Sequence, residues 1–174
     1  ASTTGDGATE RIVARNLGHN EPIAAQLAVL AKLGGTDAGT AAAILDGAAR
    51  FNVACCGRRF GKDILAKNLY IRPALEGKLC AWFNPSYPML TDTWRDVLHV
   101  VQPIAERSNA QEHRIELVGG GILDMWSMDA INSARGRKYN RVIINECAFT
   151  PTLMDQWEMV IRPMLMDYAG DAFF

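Results

Sequence analysis

Short apolar runs alternate with helical patterns along most of this chain. The runs are rich in β-branched and aromatic residues and cover residues 51–55, 78–85, 141–149 and 171–174. Two further runs, residues 113–118 and 121–127, flank consecutive glycines as the two arms of a β-hairpin would. Strand-like runs that alternate with helices are typical of α/β proteins. The pattern therefore predicts an α/β fold whose central sheet is mainly parallel and carries helices on its faces.

Helical patterns fill the intervals between these runs. Apolar residues at helical spacing, including Trp94, Val97 and Val101, predict a helix over residues 90–107. Similar reasoning predicts two more helices, over residues 62–73 and 152–162, and two short Ala/Leu-rich helices before the first strand, over residues 22–33 and 38–49.

The organisation predicted from this pattern is one domain after a short lead-in. The small and polar residues 1–20 are expected to form a flexible segment, and residues 21–174 a single domain. An apolar strand pattern starts at residue 171 and stops with the chain, so we expect the domain to be incomplete at its C-terminal end.

Composition limits the possible partners. The chain has 174 residues, of which 18 are basic and 19 acidic, so contacts to nucleic acid must come from local clusters rather than from a global basic field. No segment is apolar for long enough to predict a membrane span, and we expect an intracellular protein. The four cysteines lack C-x-x-C spacing, which favours buried thiols over a disulfide or zinc site: Cys55, Cys56, Cys80 and Cys147.

The stretch "CGRRFGKD" nearly matches the phosphate-binding loop G-x-x-x-x-G-K-[ST]. It lies between a predicted strand and a predicted helix, where backbone N–H groups and the helix N-terminus can surround a phosphate. Lys62 is placed to reach the β- and γ-phosphates. Cys56 replaces the first glycine, and Asp63 replaces the hydroxyl that contacts Mg²⁺. The predicted nucleotide-binding residues are Cys56, Gly57, Arg58, Arg59, Phe60, Gly61, Lys62 and Asp63. The alternative is a glycine-containing turn with solvated basic side chains.

The apolar run "RVIINECAF" is the candidate for the acidic strand that a P-loop ATPase needs. Asn145 takes the first acidic position and Glu146 the second, where a carboxylate activates the attacking water. A carboxylate lost at Asn145 is matched by one gained at Asp63. We therefore predict that Asp63 and Asn145 form the metal site, with Asp63 binding Mg²⁺ and Asn145 hydrogen-bonding to Asp63. An engineered Asp→Asn change at position 145 and a solvated strand-end role for Glu146 remain alternatives.

With both motifs placed, the chain from about residue 50 to residue 174 resembles the N-terminal ATPase domain of the large terminase subunit of tailed bacteriophages. The resemblance depends on four stretches: "CGRRFGKD", "AWFNPSYPMLTDTW", "SMDAINSARGRKYNRVIINECAF" and "WEMVIRPMLMDYAGDAFF". It implies a P-loop NTPase of the ASCE, RecA-like type that uses ATP and Mg²⁺. It also implies that Lys62 binds phosphates, that Glu146 is the catalytic glutamate, and that Arg58 acts near the γ-phosphate.

The function implied by the resemblance is ATP hydrolysis coupled to translocation of double-stranded DNA into a procapsid. The implied partners are double-stranded DNA, the portal protein and the small terminase subunit, with a homo-oligomeric ring as the assembled form and the host cytoplasm as the location. We expect the nuclease domain of the family to lie outside this stretch of sequence. Two alternatives remain: a non-hydrolysing nucleotide-binding or assembly module, and another nucleic-acid-stimulated P-loop ATPase.

Three sets of residues outside these motifs also carry expectations. The loop "SARGRKYNR" places Arg135, Arg137, Lys138 and Arg141 before the acidic strand, either for DNA or a neighbouring subunit or as an ordinary solvated loop. The pair Ser127 and Asp129 is expected to cap a turn, with lining of the nucleotide site as the alternative. The four tryptophans are expected in the core rather than as base-stacking platforms: Trp82, Trp94, Trp126 and Trp157.

Overall fold

The computed structural model describes residues 48–55 and 62–174. The predicted lead-in, the helix predicted over residues 22–33 and nearly all of that over residues 38–49 lie outside these ranges, as do residues 56–61 of the phosphate loop.

A seven-stranded sheet organises the described part of the chain. Its order is β1-β7-β6-β2-β5-β4-β3, with parallel pairing from β1 to β5 and antiparallel pairing of β5 with β4 and of β4 with β3. The strands are β1 Phe51–Asn52, β2 Leu79–Asn84, β3 Ala105–Asn109, β4 Arg114–Leu117, β5 Ile122–Ser127, β6 Arg141–Ile144 and β7 Asp171–Phe173. The predicted α/β fold with a mainly parallel sheet is confirmed.

Helices connect the parallel strands. Two long helices follow β1 and β2: α1 Lys62–Leu75 and α2 Tyr87–Val101. A third helical stretch joins β6 to β7 and consists of α3 Leu153–Gln156, a π-helical turn Trp157–Ile161 and α4 Arg162–Met164. Three 3-10 turns complete the described elements: Gln102–Ile104, Met128–Ala134 and Cys147–Phe149.

The central strands bury side chains on both faces, as their apolar sequences require. Along β2, Cys80 and Trp82 pack with α1 and α2 on one face, whereas Ala81 and Phe83 pack with the third helical stretch on the other. This alternation follows from the two-residue period of a strand. Three of the tryptophans are buried, at 1%, 5% and 8% exposure, and the fourth is half-buried, which confirms their assignment to the core: Trp82, Trp94, Trp157 and Trp126.

The helix predicted over residues 90–107 was wrong at both ends. It begins earlier, at Tyr87, and ends at Val101, after which Pro103 occupies a 3-10 turn. Proline disrupts a continuing α-helix, and the chain then turns back into β3. Because none of the residues of β3 is buried, its polar sequence "AERSN" lacked the apolar signal used to find the other strands. β3 was therefore missed.

Strand order places the two predicted motifs near each other. β1 precedes the phosphate loop, β6 precedes Asn145 and Glu146, and β7 lies between them. All three strands run parallel, so their carboxyl ends lie at the same edge of the sheet. Ligands of open parallel sheets bind at this edge, in the crevice outside the carboxyl ends of the strands.

Candidate functional site

Lys62 and Glu146 form an ion pair across this edge. The Lys62 ammonium contacts Oε1 of Glu146, although 84 positions separate the two residues in the chain. Lys62 is the first residue of α1, and Glu146 is the second residue after β6. Their side chains are 33% and 26% exposed, so solvent and small ligands can reach both. The lysine of one predicted motif and the glutamate of the other therefore belong to one site.

Glu146 holds an uncommon backbone conformation. Its φ of 52° and ψ of 38° lie in the left-handed region, which non-glycine residues rarely adopt. This turn ends the extended chain of β6 and starts the 3-10 turn at Cys147. Strained non-glycine residues are concentrated at functional sites, because selection has a reason to keep them there. The conformation is thus a second observation that singles out Glu146.

Asn145 continues the pairing of β6 with β2. Its backbone N–H donates to the carbonyl of Phe83 at 3.0 Å. Its side-chain Nδ2 donates to Oδ1 of Asn84, at the long end of hydrogen-bond distances, 3.5 Å. Asn84 is the last residue of β2 and is fully buried. The sequence motifs do not include Asn84, although a polar residue that ends an apolar strand just before a proline is a signal that could have identified it.

The hydrogen bond expected between Asn145 and Asp63 was wrong. Both residues lie within the described ranges, and the Asn145 amide donates to Asn84 instead. Asp63 is exposed in the first turn of α1, directly after Lys62. A carboxylate in this turn interacts favourably with the positive end of the helix dipole. Asp63 therefore remains available at the same end of α1 as Lys62.

The basic side chains of the loop before β6 lie in different environments, one buried and three at the surface. Arg141 is 9% exposed and binds Asp171 on β7, so its assignment to an exposed cluster was wrong. Lys138 pairs with Asp167, and the Arg137 guanidinium lies 5.8 Å from the centre of the Trp126 ring. Arg135 donates to the side-chain oxygen of Asn132 at 2.8 Å, on the exposed surface. The structure thus leaves Arg135, Arg137 and Lys138 as the surface part of this loop.

Two smaller predictions have mixed outcomes. Ser127 Oγ accepts a hydrogen bond from the Asp129 N–H, which confirms the turn cap. Among the described cysteines no disulfide is present, and Cys80 is buried, but Cys55 is exposed, contrary to the expectation of buried thiols. Burial raises the pKa of the Cys80 thiol to about 12, so this thiol stays protonated. No helix in the described ranges is long and apolar enough to cross a membrane.

Comparisons with known proteins agree with this architecture. No protein-family model matches the chain. The large terminase subunit of Escherichia phage T5 is 30% identical over a match of 154 residues that covers 84% of this chain and 35% of that protein. The chain thus spans about a third of the length of this curated relative.

Two solved structures of one phage protein are similar in fold to this chain. The large terminase ATPase domain of Thermus phage P74-26 has a TM-score of 0.60 and 22% identity, over 76% of this chain and 61% of that domain. A point mutant of the same domain has a TM-score of 0.60 and 20% identity, over 76% of this chain and 62% of the mutant. At this identity the likeness concerns the fold. Sequence and fold together confirm the resemblance: the chain is a relative of phage large terminase subunits and has the fold of their ATPase domain.

Proposed function

We propose that this chain hydrolyses ATP as the motor domain of a viral DNA-packaging terminase. The observation that carries the proposal is the contact between Lys62 and Glu146 at the carboxyl edge of the sheet. The names of its relatives support the same activity. Translocation of double-stranded DNA, assembly as a homo-oligomeric ring, and binding to the portal protein and small terminase subunit belong to this proposal by analogy with the family.

In this proposal the phosphates bind to the loop of residues 56–61 and to the N-terminus of α1, the helix that follows it. Residues 56–61 supply backbone N–H groups, and Lys62 supplies the charge. α1 is 14 residues long, so its N-terminus carries a full helix dipole directed at an anion there. Arg58, within the loop, adds positive charge toward the γ-phosphate.

Glu146 acts as the general base. Its carboxylate accepts a proton from the water that attacks the γ-phosphate in line with the leaving oxygen. The contact with Lys62 directs the carboxylate toward the phosphate side of the site. The positive charge of Lys62 also reduces the electrostatic repulsion between the Glu146 carboxylate and the γ-phosphate.

The residues present fit a Mg²⁺ ion. Magnesium prefers oxygen ligands and needs only one or two protein ligands beside substrate phosphates and water. Asp63 offers an exposed carboxylate, and Asn145 retains its carbonyl oxygen because its NH₂ group is bonded to Asn84. These two residues would hold the ion, and when bound it would neutralise phosphate charge.

ATP turnover in the presence of Mg²⁺ tests the proposal. We expect Glu146→Gln to lower turnover by about 10²- to 10⁴-fold while nucleotide binding is retained, because glutamine keeps the size of the side chain and an oxygen that can accept from Lys62 but cannot act as the base. Glu106→Gln makes the same chemical change on the exposed strand β3 and should leave turnover unchanged. Equal turnover in wild type and Glu146→Gln would contradict the assignment of the base.

Asn145 favours one second candidate, a nucleotide-binding module that does not hydrolyse ATP. An amide at this position lacks the charge with which a carboxylate binds the metal. Turnover in Asn145→Asp but not in wild type, with nucleotide bound by both, would establish this second function. Turnover in wild type excludes it.

A further inference from the structure

Asn84 contacts Asn145, one of the two proposed metal ligands, and its side-chain amide makes four hydrogen bonds. Its side chain is fully buried at the end of β2. Its Nδ2 lies 2.9 Å from Thr93 Oγ1 and 3.3 Å from the carbonyl of Met89. Its Oδ1 lies 3.2 Å from Trp82 Nε1 and 3.5 Å from Asn145 Nδ2.

These partners permit only one orientation of the Asn84 amide. The indole N–H of Trp82 can only donate, and the carbonyl of Met89 can only accept. The Thr93 hydroxyl already donates to that carbonyl at 3.0 Å, so its oxygen is the acceptor for Asn84. The Asn84 oxygen must therefore face Trp82, and its NH₂ group must face Met89 and Thr93.

The orientation of Asn84 in turn determines that of Asn145. The two ends of an asparagine amide are nearly equal in size, so packing alone does not choose between them. Because Asn84 presents an oxygen, Asn145 has to present its NH₂ group there. The carbonyl oxygen of Asn145 is then left on the other side of its amide.

We propose that Asn84 is a positioning residue that makes the oxygen of Asn145, rather than its NH₂ group, available to Mg²⁺. The proposal rests on the proposed nucleotide site and deepens it. An asparagine turned the other way would present hydrogen-bond donors to a cation and bind it poorly. An aspartate needs no such selection, because both of its oxygens can bind the metal. The buried pair Trp82 and Asn84 thus supports a metal site in which an amide replaces a carboxylate.

The test measures ADP binding by titration calorimetry, with Mg²⁺ and with EDTA, on the whole chain. Outer-shell partners of metal ligands usually contribute about 10- to 100-fold to metal affinity. We expect Asn84→Leu to weaken ADP binding roughly tenfold in Mg²⁺ and to leave it unchanged in EDTA. Thr93→Val, the matched control, removes one hydrogen bond of Asn84, but Trp82 and Met89 still fix the orientation of its amide. It should therefore change neither affinity. An equal loss with and without Mg²⁺, or no loss, would overturn the proposal.

A second background separates positioning from general damage. In Asn145→Asp the amide orientation no longer matters, so adding Asn84→Leu should cost no Mg²⁺-dependent affinity. A tenfold loss that persists there would overturn the proposal. If Asn84→Leu does not fold by circular dichroism, Asn84→Ala replaces it in both backgrounds, with the same expectations.

The outcomes also separate this inference from the proposed function. If wild type binds no ADP, with or without Mg²⁺, the nucleotide site and the role of Asn84 both fail. If wild type binds ADP more tightly with Mg²⁺, and Asn84→Leu keeps that dependence, only the role of Asn84 fails.

Discussion

Replacing Arg141 with methionine should destabilise the sheet beside the candidate site. Its Nε and Nη2 atoms each lie 2.6 Å from one oxygen of Asp171, and Nη1 donates to the carbonyl of Leu69 at 3.2 Å. The guanidinium also lies 5.2 Å from the centre of the Phe173 ring. Arg141 and Asp171 are directly paired in the β6–β7 ladder. The ion pair therefore holds β7 against β6, the strand that leads to Asn145 and Glu146.

The expected magnitude follows from the burial of the two partners. Removing one member of a fully buried ion pair costs about 3–5 kcal/mol, because the other charge is left uncompensated. The side chain of Arg141 is 10% exposed but that of Asp171 is 28% exposed, so water can partly solvate the carboxylate that remains. We expect Arg141→Met to lower the free energy of unfolding by about 2–3 kcal/mol. For a domain of this size that corresponds to a fall in Tm of roughly 4–12 °C.

Urea denaturation of four variants tests this reasoning. Arg141→Met and Asp171→Ala, alone and combined, form a double-mutant cycle that isolates the energy of the pair. Arg162→Met is the control, because its bond to Glu158 lies on the surface, with both side chains about half exposed, and should contribute under about 0.5 kcal/mol. If Arg141→Met costs no more than Arg162→Met, the pair is screened by solvent and the calculation is refuted.

Three further predictions concern single residues. Gly121→Ala should lower the free energy of unfolding in urea by more than about 2 kcal/mol, because an added Cβ would lie 1.8 Å from the backbone oxygen of Ala74. A loss below about 0.5 kcal/mol would contradict this. Burial lowers the pKa of His113 from 6.5, so the unfolded chain binds a proton first, and stability should fall as pH decreases through 6.5 toward the lower folded-state pKa. His113→Asn, which tolerates the φ of 49° at this position, should reduce that slope, and an unchanged slope would refute the assignment. A thiol reagent followed by peptide mass spectrometry should label exposed Cys55 quickly and buried Cys80 only on unfolding; fast labelling of Cys80 in the folded protein would be inconsistent with its burial.

Much of the fold was readable from local patterns. Apolar runs identified β2, β6 and β7, and the glycines 119–120, both with positive φ, identified the β4–β5 hairpin. These elements can be predicted from the sequence because strand and turn preferences act over a few neighbouring residues. β3 did not, since an exposed edge strand needs no apolar sequence and is stabilised by pairing with β4.

The sequence by itself determined the chemical types at the site: a lysine after a glycine loop, and an amide followed by a carboxylate after a buried strand. Only the tertiary structure decided which groups meet. Lys62 reaches Glu146 because the sheet order brings β6 within two strands of β1. The register of β6 with its two neighbours places Arg141 beside Asp171 instead of on the surface, and it places Asn145 next to Asn84. Such contacts depend on strand order and register, which are set by burial and pairing summed over the whole sheet and therefore leave no signature in a short stretch of chain.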